Sequence, residues 1–200
     1  CPRAIVALRY FYEQIPDLHV IAAGSLLEFA MGEISMPVGR VQYLHLHPLT
    51  FREYLLAIGN EVAAERAAVH PSKVDEATQF QLLKELRNYF FIGGMPECVK
   101  VYRETSSMVE AFRVQGEIIS SYRDDFSKYA PRLDRACLDA VLLGVARQVG
   151  ERIKYTKLSE AFSIPSVHRA FELLCKARVA HKIPSCDPSG LPLGASANEK

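Results

Sequence analysis

The chain has 200 residues, of which 49% are hydrophobic and 24% are charged, so it has enough apolar residues for a folded core. Its net charge of +1 is too small to attract the whole chain to nucleic acid or to a membrane. Such binding would need a local patch of charged residues. The five cysteines are scattered and form no C-x-x-C pair, which argues against disulfides and structural zinc and predicts a reducing, cytoplasmic setting. No apolar run approaches the roughly 20 residues of a membrane span.

The first 59 residues predict the order helix, strand, helix, strand, helix, which is typical of half of a three-layer α/β domain. The predicted helices have apolar residues at helical spacing, whereas the predicted strands have a nearly continuous apolar run or an alternating pattern. Thr50 and Glu53 stand three apart before an apolar run, which is the signature of a capping box. In chain order the predicted elements are helix 2–14, strand 18–23, helix 26–31, strand 41–46 and helix 51–59.

The residues that follow predict helices as far as Tyr129, with a break at Gly93-Gly94-Met95-Pro96, where glycine ends one helix and proline opens the next. The pattern then changes to short helix, turn, longer helix, strand and loop, which is the layout of a winged helix-turn-helix module. Ser166 is placed to cap the longer helix. The predicted elements of this part are helix 132–149, helix 156–162, helix 167–177, strand 179–183 and loop 184–192.

Several short motifs, spread in a fixed order over nearly the whole chain, resemble one family. They are Cys1-Pro2-Arg3-Ala4 and the segments 18–29, 37–40, 46–54, 93–97 and 122–129. Their order and spacing carry the likeness, because each motif alone is common. The chain is similar to the AAA-type P-loop ATPases of bacteria and archaea that carry a C-terminal domain of unknown function.

The resemblance implies a fold with three parts. Residues 1–55 would form the α/β C-terminal part of a P-loop NTPase domain, 56–130 a mainly α lid-like region, and 131–200 a winged helix-turn-helix module that begins the domain of unknown function. In the family, an acidic pair that positions Mg²⁺ comes directly before a segment like Cys1-Pro2-Arg3, and a phosphate loop lies further upstream. We therefore expect this chain to be an internal fragment that starts downstream of both motifs.

The phosphate-binding machinery is missing from the sequence. No G-x-x-x-x-G-K-[ST] motif occurs, so neither a backbone N–H cradle nor a lysine is available for the phosphates. We expect the fragment to bind no cofactor and to be non-catalytic by itself. By resemblance, the parent protein would bind and hydrolyse ATP with Mg²⁺, and ATP would be a partner only together with the upstream segment.

Two residues match family positions that act on the nucleotide. Ser25 follows the first predicted strand, at the place of a sensor residue that orients the attacking water, although a serine there also suits a helix cap. Arg40 follows Gly39 at the place of an arginine finger, which points into the nucleotide of a neighbouring subunit and so implies a homo-oligomer. The alternative for Arg40 is a surface arginine that pairs with a carboxylate.

The longer helix of the predicted winged module has His168, Arg169 and Lys176 on its polar side, where they would contact phosphates or base edges of DNA. An acidic residue interrupts that side and the whole chain is nearly neutral, so packing against a neighbouring domain is the alternative. His45 and His47 share a face of a predicted strand, but no acidic or cysteine partner stands at a useful spacing. No metal site is predicted.

Three hypotheses about function follow. The first is a fragment of an AAA-type ATPase, whose parent couples nucleotide state to movement of a winged-helix module. The second is a DNA-binding or regulatory winged-helix module. The third is a structural or interaction remnant. Nucleotide binding restored by the upstream segment would support the first, and salt-dependent DNA binding would support the second.

Overall fold

A computed structural model describes residues 2–24, 39–68, 74–129, 134–186 and 197–198. Within these ranges the chain forms nine helices and one pair of short antiparallel strands. It divides into two compact units, one of residues 1–42 with 126–200 and the other of residues 43–125. The elements are α1 (Pro2–Gln14), α2 (Phe51–Ala57), α3 (Glu61–Ala68), α4 (Glu76–Ile92), α5 (Pro96–Thr105), α6 (Met108–Tyr129), α7 (Arg135–Arg147), α8 (Tyr155–Leu158), α9 (Ile164–Lys176), β1 (Ser185–Cys186) and β2 (Ala197–Asn198).

The two strands predicted near the N-terminus do not form. Residues 18–24 and 41–46 have no regular secondary structure, and Ile21, predicted to be buried in a sheet, is 96% exposed. A strand needs a neighbouring strand to satisfy its backbone N–H and C=O groups. In the described part of the chain, the one strand pairing joins β1 to β2, so nothing pairs with either run. The α/β class of this segment stays a prediction.

The predicted helices fall mostly where the structure has them. α1 covers the predicted range, and α2 begins at Phe51 as its capping signal indicates. The backbone N–H of Thr50 donates to the Glu53 carboxylate at 2.7 Å, and the Thr50 hydroxyl accepts from the N–H of Glu53, which confirms the capping box. The predicted helix 26–31 lies outside the described residues.

The unit of residues 43–125 has an apolar core to which α2 through α6 all contribute. The rings of Phe51, Tyr54 and Tyr89 pack together there, with the centroids of Tyr54 and Tyr89 at 5.4 Å. Such aromatic contacts add to the free energy gained by burial. The buried residues of this core are Tyr54, Leu55, Ala64, Ile92, Cys98, Val99, Ala111 and Val114.

The backbone of Leu49 is bonded to the junction between α4 and α5. Its N–H donates to the carbonyl oxygen of Gly94 at 2.7 Å, and its carbonyl oxygen accepts from the hydroxyl of Tyr89 at 2.7 Å. Gly93, with φ of 75°, ends α4, and Pro96 opens α5, as the sequence predicts. A Cβ on Gly94 would overlap the Leu49 carbonyl oxygen and lie 2.9 Å from its nitrogen, so only glycine allows this approach.

In the other unit, α7, α8 and α9 pack against one another. Gly144 of α7 lies against the backbone of Leu158 in α8, and the side-chain amide of Gln148 donates to the carbonyl of Lys157 at 3.0 Å. α9 is amphipathic, and its buried side faces this packing. The buried residues of α9 are Val167, Ala170, Phe171 and Leu174.

Three details of the predicted winged module are wrong. The helix predicted over 156–162 is α8, which ends at Leu158. α9 follows Ser163 and not Ser166, because Pro165 is acceptable in the first helical turn, where its missing N–H needs no partner. Residues 179–183 are not a strand; Arg178 has a φ of 59°, which turns the chain before it could run on extended. Strand pairing begins only at β1. The winged-helix assignment itself stays a prediction.

We expect Gly94→Ala to lower the free energy of unfolding by about 3 kcal/mol, because the added methyl group would force apart the backbones of Gly94 and Leu49. Gly116→Ala is the matched control. Nothing lies within 4 Å of a Cβ at Gly116, so alanine in the middle of α6 should raise the free energy of unfolding by about 0.5–1 kcal/mol. Urea denaturation followed by circular dichroism measures both, and equal effects would contradict the close approach at Gly94.

Candidate functional site

Arg40 lies at the end of α1, beside Glu13. Its Nε is 2.9 Å from Oε1 of Glu13, and Nε of Arg9 is 2.9 Å from the same oxygen. All three side chains are partly exposed, so each ion pair contributes about 0.2–1 kcal/mol. A pair of this kind is what the alternative interpretation of Arg40 predicts, and its assignment as an arginine finger stays a prediction. Ser25 lies outside the described residues.

The outward side of α9 carries the three residues predicted to contact nucleic acid. His168, Arg169 and Lys176 are all exposed, on the side opposite to the buried residues of the helix. The ring of His168 meets that of Tyr155 edge-on, with centroids 4.9 Å apart, and its Nε2 is 3.8 Å from Oε1 of Glu172. The structure therefore puts all three candidates on one exposed face, with the acidic Glu172 beside them.

Charge is unevenly divided along the chain. Residues 134–186 contain nine lysines and arginines against five aspartates and glutamates, a net charge of +4. Residues 43–125 contain nine against twelve, a net charge of −3. The two nearly cancel, so the small charge of the whole chain conceals a basic C-terminal region. Local positive charge of this kind is what binding to phosphate groups requires.

The buried ionisable groups favour their neutral forms. Burial raises the pKa of the thiols of Cys98, Cys137 and Cys175, and burial, followed by the nearby Glu85 carboxylate, raises the pKa of Tyr54. A protonated thiol is a poor nucleophile. In the described ranges no cluster of three or more His, Cys, Asp or Glu residues is placed to hold a metal ion. None of the described helices combines the length and apolar character that crossing a bilayer demands.

The structure also gives a role to a residue that the sequence did not single out. Glu13 holds two guanidinium groups, from Arg9 and Arg40. The four-residue spacing of Arg9 and Glu13 on a helix predicts the first ion pair. Nothing in the spacing of Glu13 and Arg40 predicts the second, because Arg40 belongs to no described helix or strand whose periodicity would relate it to Glu13.

The N-terminal segment is anchored at its end, where α2 begins. Hydrogen bonds from the backbone and side chain of Thr50 lower the pKa of Glu53, because they favour the ionised carboxylate. The backbone of Leu49 is fixed just before this cap. Residues 49–53 are therefore fixed within the unit of residues 43–125 by backbone hydrogen bonds and one charged cap.

Two family models match parts of the chain. A family model described as an AAA domain matches residues 1–55, so the N-terminal segment, which includes Arg40 and the α2 cap, is AAA-like. A second model, described as a domain of unknown function (DUF8612), matches residues 83–200. Because this match covers more than half of the chain, the chain belongs to the DUF8612 family. Neither the curated proteins nor the solved structures gave a match.

We expect Glu53→Gln to destabilise the protein at pH 7 and to have a smaller effect near pH 3. The folded pKa of Glu53 lies below its ordinary value of 4.5, so its contribution is complete above that value and is lost as the pH falls through the folded pKa. Urea denaturation of both proteins between pH 7 and pH 3 measures the difference in the free energy of unfolding. A difference that stays constant over this range would contradict the role of the ionised cap.

Proposed function

We propose that this chain is the part of an AAA-type ATP-binding protein that follows its phosphate-binding motifs, and that the parent protein hydrolyses ATP. The match of residues 1–55 to an AAA domain, in a sequence without a phosphate loop, is the main support. Without that loop the chain has no cradle for the phosphates and no lysine beside them. In this proposal Ser25 acts as a sensor of the nucleotide and Arg40 as an arginine finger.

The contacts of Leu49 support a route by which nucleotide state would reach the helices. Leu49 lies inside the AAA-like segment, and its backbone is hydrogen-bonded to Tyr89 and Gly94, at the junction of α4 and α5. Residues 49–55 of the AAA-like segment are therefore fixed to these helices within the unit of residues 43–125 and would move together with them. We take this link as the first step of a coupling that extends to the winged-helix-like module.

The 200-residue chain should show no saturable binding of ATP with Mg²⁺, whereas a chain extended upstream through a phosphate loop and an acidic pair should bind and hydrolyse ATP. Fluorescent-nucleotide titration and phosphate release measure these two properties. In the extended protein, Arg40→Ala should lower the turnover of ATP at least about 10³-fold if Arg40 is a finger, with nucleotide binding largely retained.

Arg9→Ala is the matched control, because Arg9 and Arg40 contact the same oxygen of Glu13 at the same distance. If both substitutions lower turnover equally, Arg40 acts only through its ion pair with Glu13 and the finger assignment fails. Failure of the extended chain to bind ATP would remove the proposal as a whole, as would tight ATP binding by the 200-residue chain.

A second candidate function, DNA binding, is favoured by the net charge of +4 over residues 134–186 and by the exposed face of α9. His168, Arg169 and Lys176 share this face, and two of them carry a permanent positive charge. Contacts of this kind with phosphates are independent of base sequence and weaken as salt rises. Such a module would bind DNA weakly, with the parent ATPase supplying the remaining affinity or movement.

Replacement of Arg169 and Lys176 by alanine should weaken binding to duplex DNA at low salt and reduce the slope of log affinity against log salt by about 1–2. The matched control replaces Arg103 and Lys100, which are also one arginine and one lysine exposed on a single helix, α5. Fluorescence anisotropy at several salt concentrations measures the slope. No binding by the unaltered chain at low salt, or equal losses in both double variants, would exclude α9 as the contact.

A further inference from the structure

Helices α4 and α6 have a second apolar side that faces away from the core of their unit. Their inward sides contribute to that core, with Tyr89 and Ile92 on α4 and with Ala111 and Val114 on α6. The opposite sides also carry large apolar side chains, and these are exposed. We call them together the aromatic face, formed by Phe80, Leu83, Phe90 and Phe91 of α4 and by Val109, Phe112 and Ile119 of α6.

Direct contacts between α4 and α6 join the two halves of the aromatic face. The rings of Phe91 and Phe112 stack with centroids 6.3 Å apart and planes inclined by 28°. The side-chain amide of Gln115 donates to the carbonyl oxygens of Phe91 and Ile92, at 2.6 and 2.7 Å. These bonds hold the C-terminal end of α4 against α6, so the two halves meet in one surface.

The aromatic face is as large as the apolar patches through which proteins bind partners. Its four phenylalanines are between 51% and 74% exposed, which corresponds to roughly 500 Å² of apolar surface. Its three aliphatic residues add to this area. The largest apolar patch of a typical monomer is about 300–600 Å² and is often functional. We therefore take the aromatic face as a binding surface and ask which partner its charges select.

Two basic residues lie within the α4 half of the aromatic face. Arg87 stands two turns after Phe80 and one turn before Phe91, and Lys84 stands one turn after Phe80, so helical spacing puts both on this side. Both are exposed, and with the described residues neither forms a hydrogen bond or an ion pair. Glu76, in the first turn of α4, lies about 16 Å from Arg87 along the helix axis, which is too far to neutralise it.

The α6 half of the aromatic face is basic as well. Arg123 stands four residues after Ile119 and three turns after Phe112, so it falls on the same side of the helix. Glu110 and Glu117 lie at least about 140° round the helix from Phe112, and both carboxylates contact the arginine between them. The charges that accompany the exposed apolar side chains are therefore positive on both helices.

We propose that the aromatic face binds an apolar and acidic segment of another protein, with a carboxylate of that segment paired to Arg87. Any partner that covers the phenylalanines around Arg87 also removes its guanidinium from water. A charge that is buried without a counter-charge is costly, so the covering surface must bring an acidic group to this place. A carboxylate can accept two parallel hydrogen bonds from a guanidinium, which would also orient the segment.

The same charges disfavour two other occupants. A second copy would bring one basic aromatic face against another, which like-charge repulsion opposes. An anionic membrane is an extended surface and would meet more than the aromatic face, and the unit of residues 43–125 as a whole has a net charge of −3. A short acidic segment contacts only the basic residues of the aromatic face and avoids the repulsion from the rest of the unit.

Selection from a display library of random peptides on the immobilised 200-residue chain tests the chemistry of the partner. We expect the enriched peptides to combine large apolar side chains with an excess of aspartate and glutamate. Selection on the Arg87→Glu variant should enrich peptides without that acidic excess. The proposal is overturned if nothing is enriched, if the enriched peptides are not acidic, or if both proteins select the same charge.

The most enriched acidic peptide, carrying a fluorescent label, is the probe for matched substitutions. Arg87→Glu should raise its dissociation constant at least about tenfold. Arg66→Glu is the control, because Arg66 is an exposed arginine of α3 that likewise forms no ion pair with the described residues, and the charge of the chain changes equally. It should change the constant by less than about twofold. Equal effects of the two substitutions would show general attraction of acid to the chain and would contradict the proposal.

Phe90→Ser tests the apolar part of the contact and should also raise the dissociation constant of the peptide about tenfold. The double replacement of Arg169 and Lys176 by alanine should leave peptide binding unchanged, since α9 is a separate surface in this proposal. If the α9 variant loses the peptide and Phe90→Ser keeps it, the acidic peptide binds α9 and the aromatic face is not its site. Circular dichroism and thermal unfolding of each variant establish that it is folded.

Two measurements on the whole chain test the other occupants. Vesicles of phosphatidylserine and phosphatidylcholine should carry down no protein that Phe90→Ser releases, and any self-association in sedimentation equilibrium should be unaffected by Phe90→Ser. Vesicle binding that this substitution abolishes would assign the aromatic face to a membrane surface. Self-association that it abolishes would assign the aromatic face to a second copy. Either result would overturn the proposal.

Discussion

The two hydrogen bonds to the backbone of Leu49 connect parts of the chain that are distant in sequence. The N–H of Leu49 is held by Gly94 and its carbonyl by Tyr89, so the segment before α2 is fixed to the end of α4 by contacts that involve none of its own side-chain atoms. Backbone contacts of this kind require close approach, which the missing Cβ of Gly94 permits. The aromatic packing of Tyr89 with Tyr54 then extends the same attachment into the core of the unit.

The helices could be predicted from the sequence because their signals are local. Apolar spacing, the Thr50 and Glu53 pair, and the glycine and proline at the junction of α4 and α5 act within one or two turns of the chain. The N-terminal strands could not be predicted in the same way. An apolar run such as 18–23 favours a strand only if another strand lies beside it, and in the described structure none does.

The start of α9 could not be predicted from local signals alone. Both Ser163 and Ser166 are acceptable caps, and the choice depends on whether Pro165 is a helix breaker or a first-turn residue. The exposed face of α9 was predicted correctly because amphipathic spacing fixes both sides of a helix at once. The ion pair of Glu13 with Arg40 had no such signal, since Arg40 lies outside the described helices and strands.

The local basic charge of residues 134–186 was likewise concealed by the nearly neutral total, which sums regions of opposite sign.

Helix α4 carries apolar side chains around much of its circumference, and this is the strongest argument that the unit of residues 43–125 does not act alone. Its inward side, with Tyr89 and Ile92, is satisfied by the core. Its outward side, with Phe80 and Phe90, is not, and a helix that is apolar on both sides is normally buried on both sides. One layer of helices can bury only one of these two sides of α4. The remaining side is therefore suited to a second layer that is apolar at its centre.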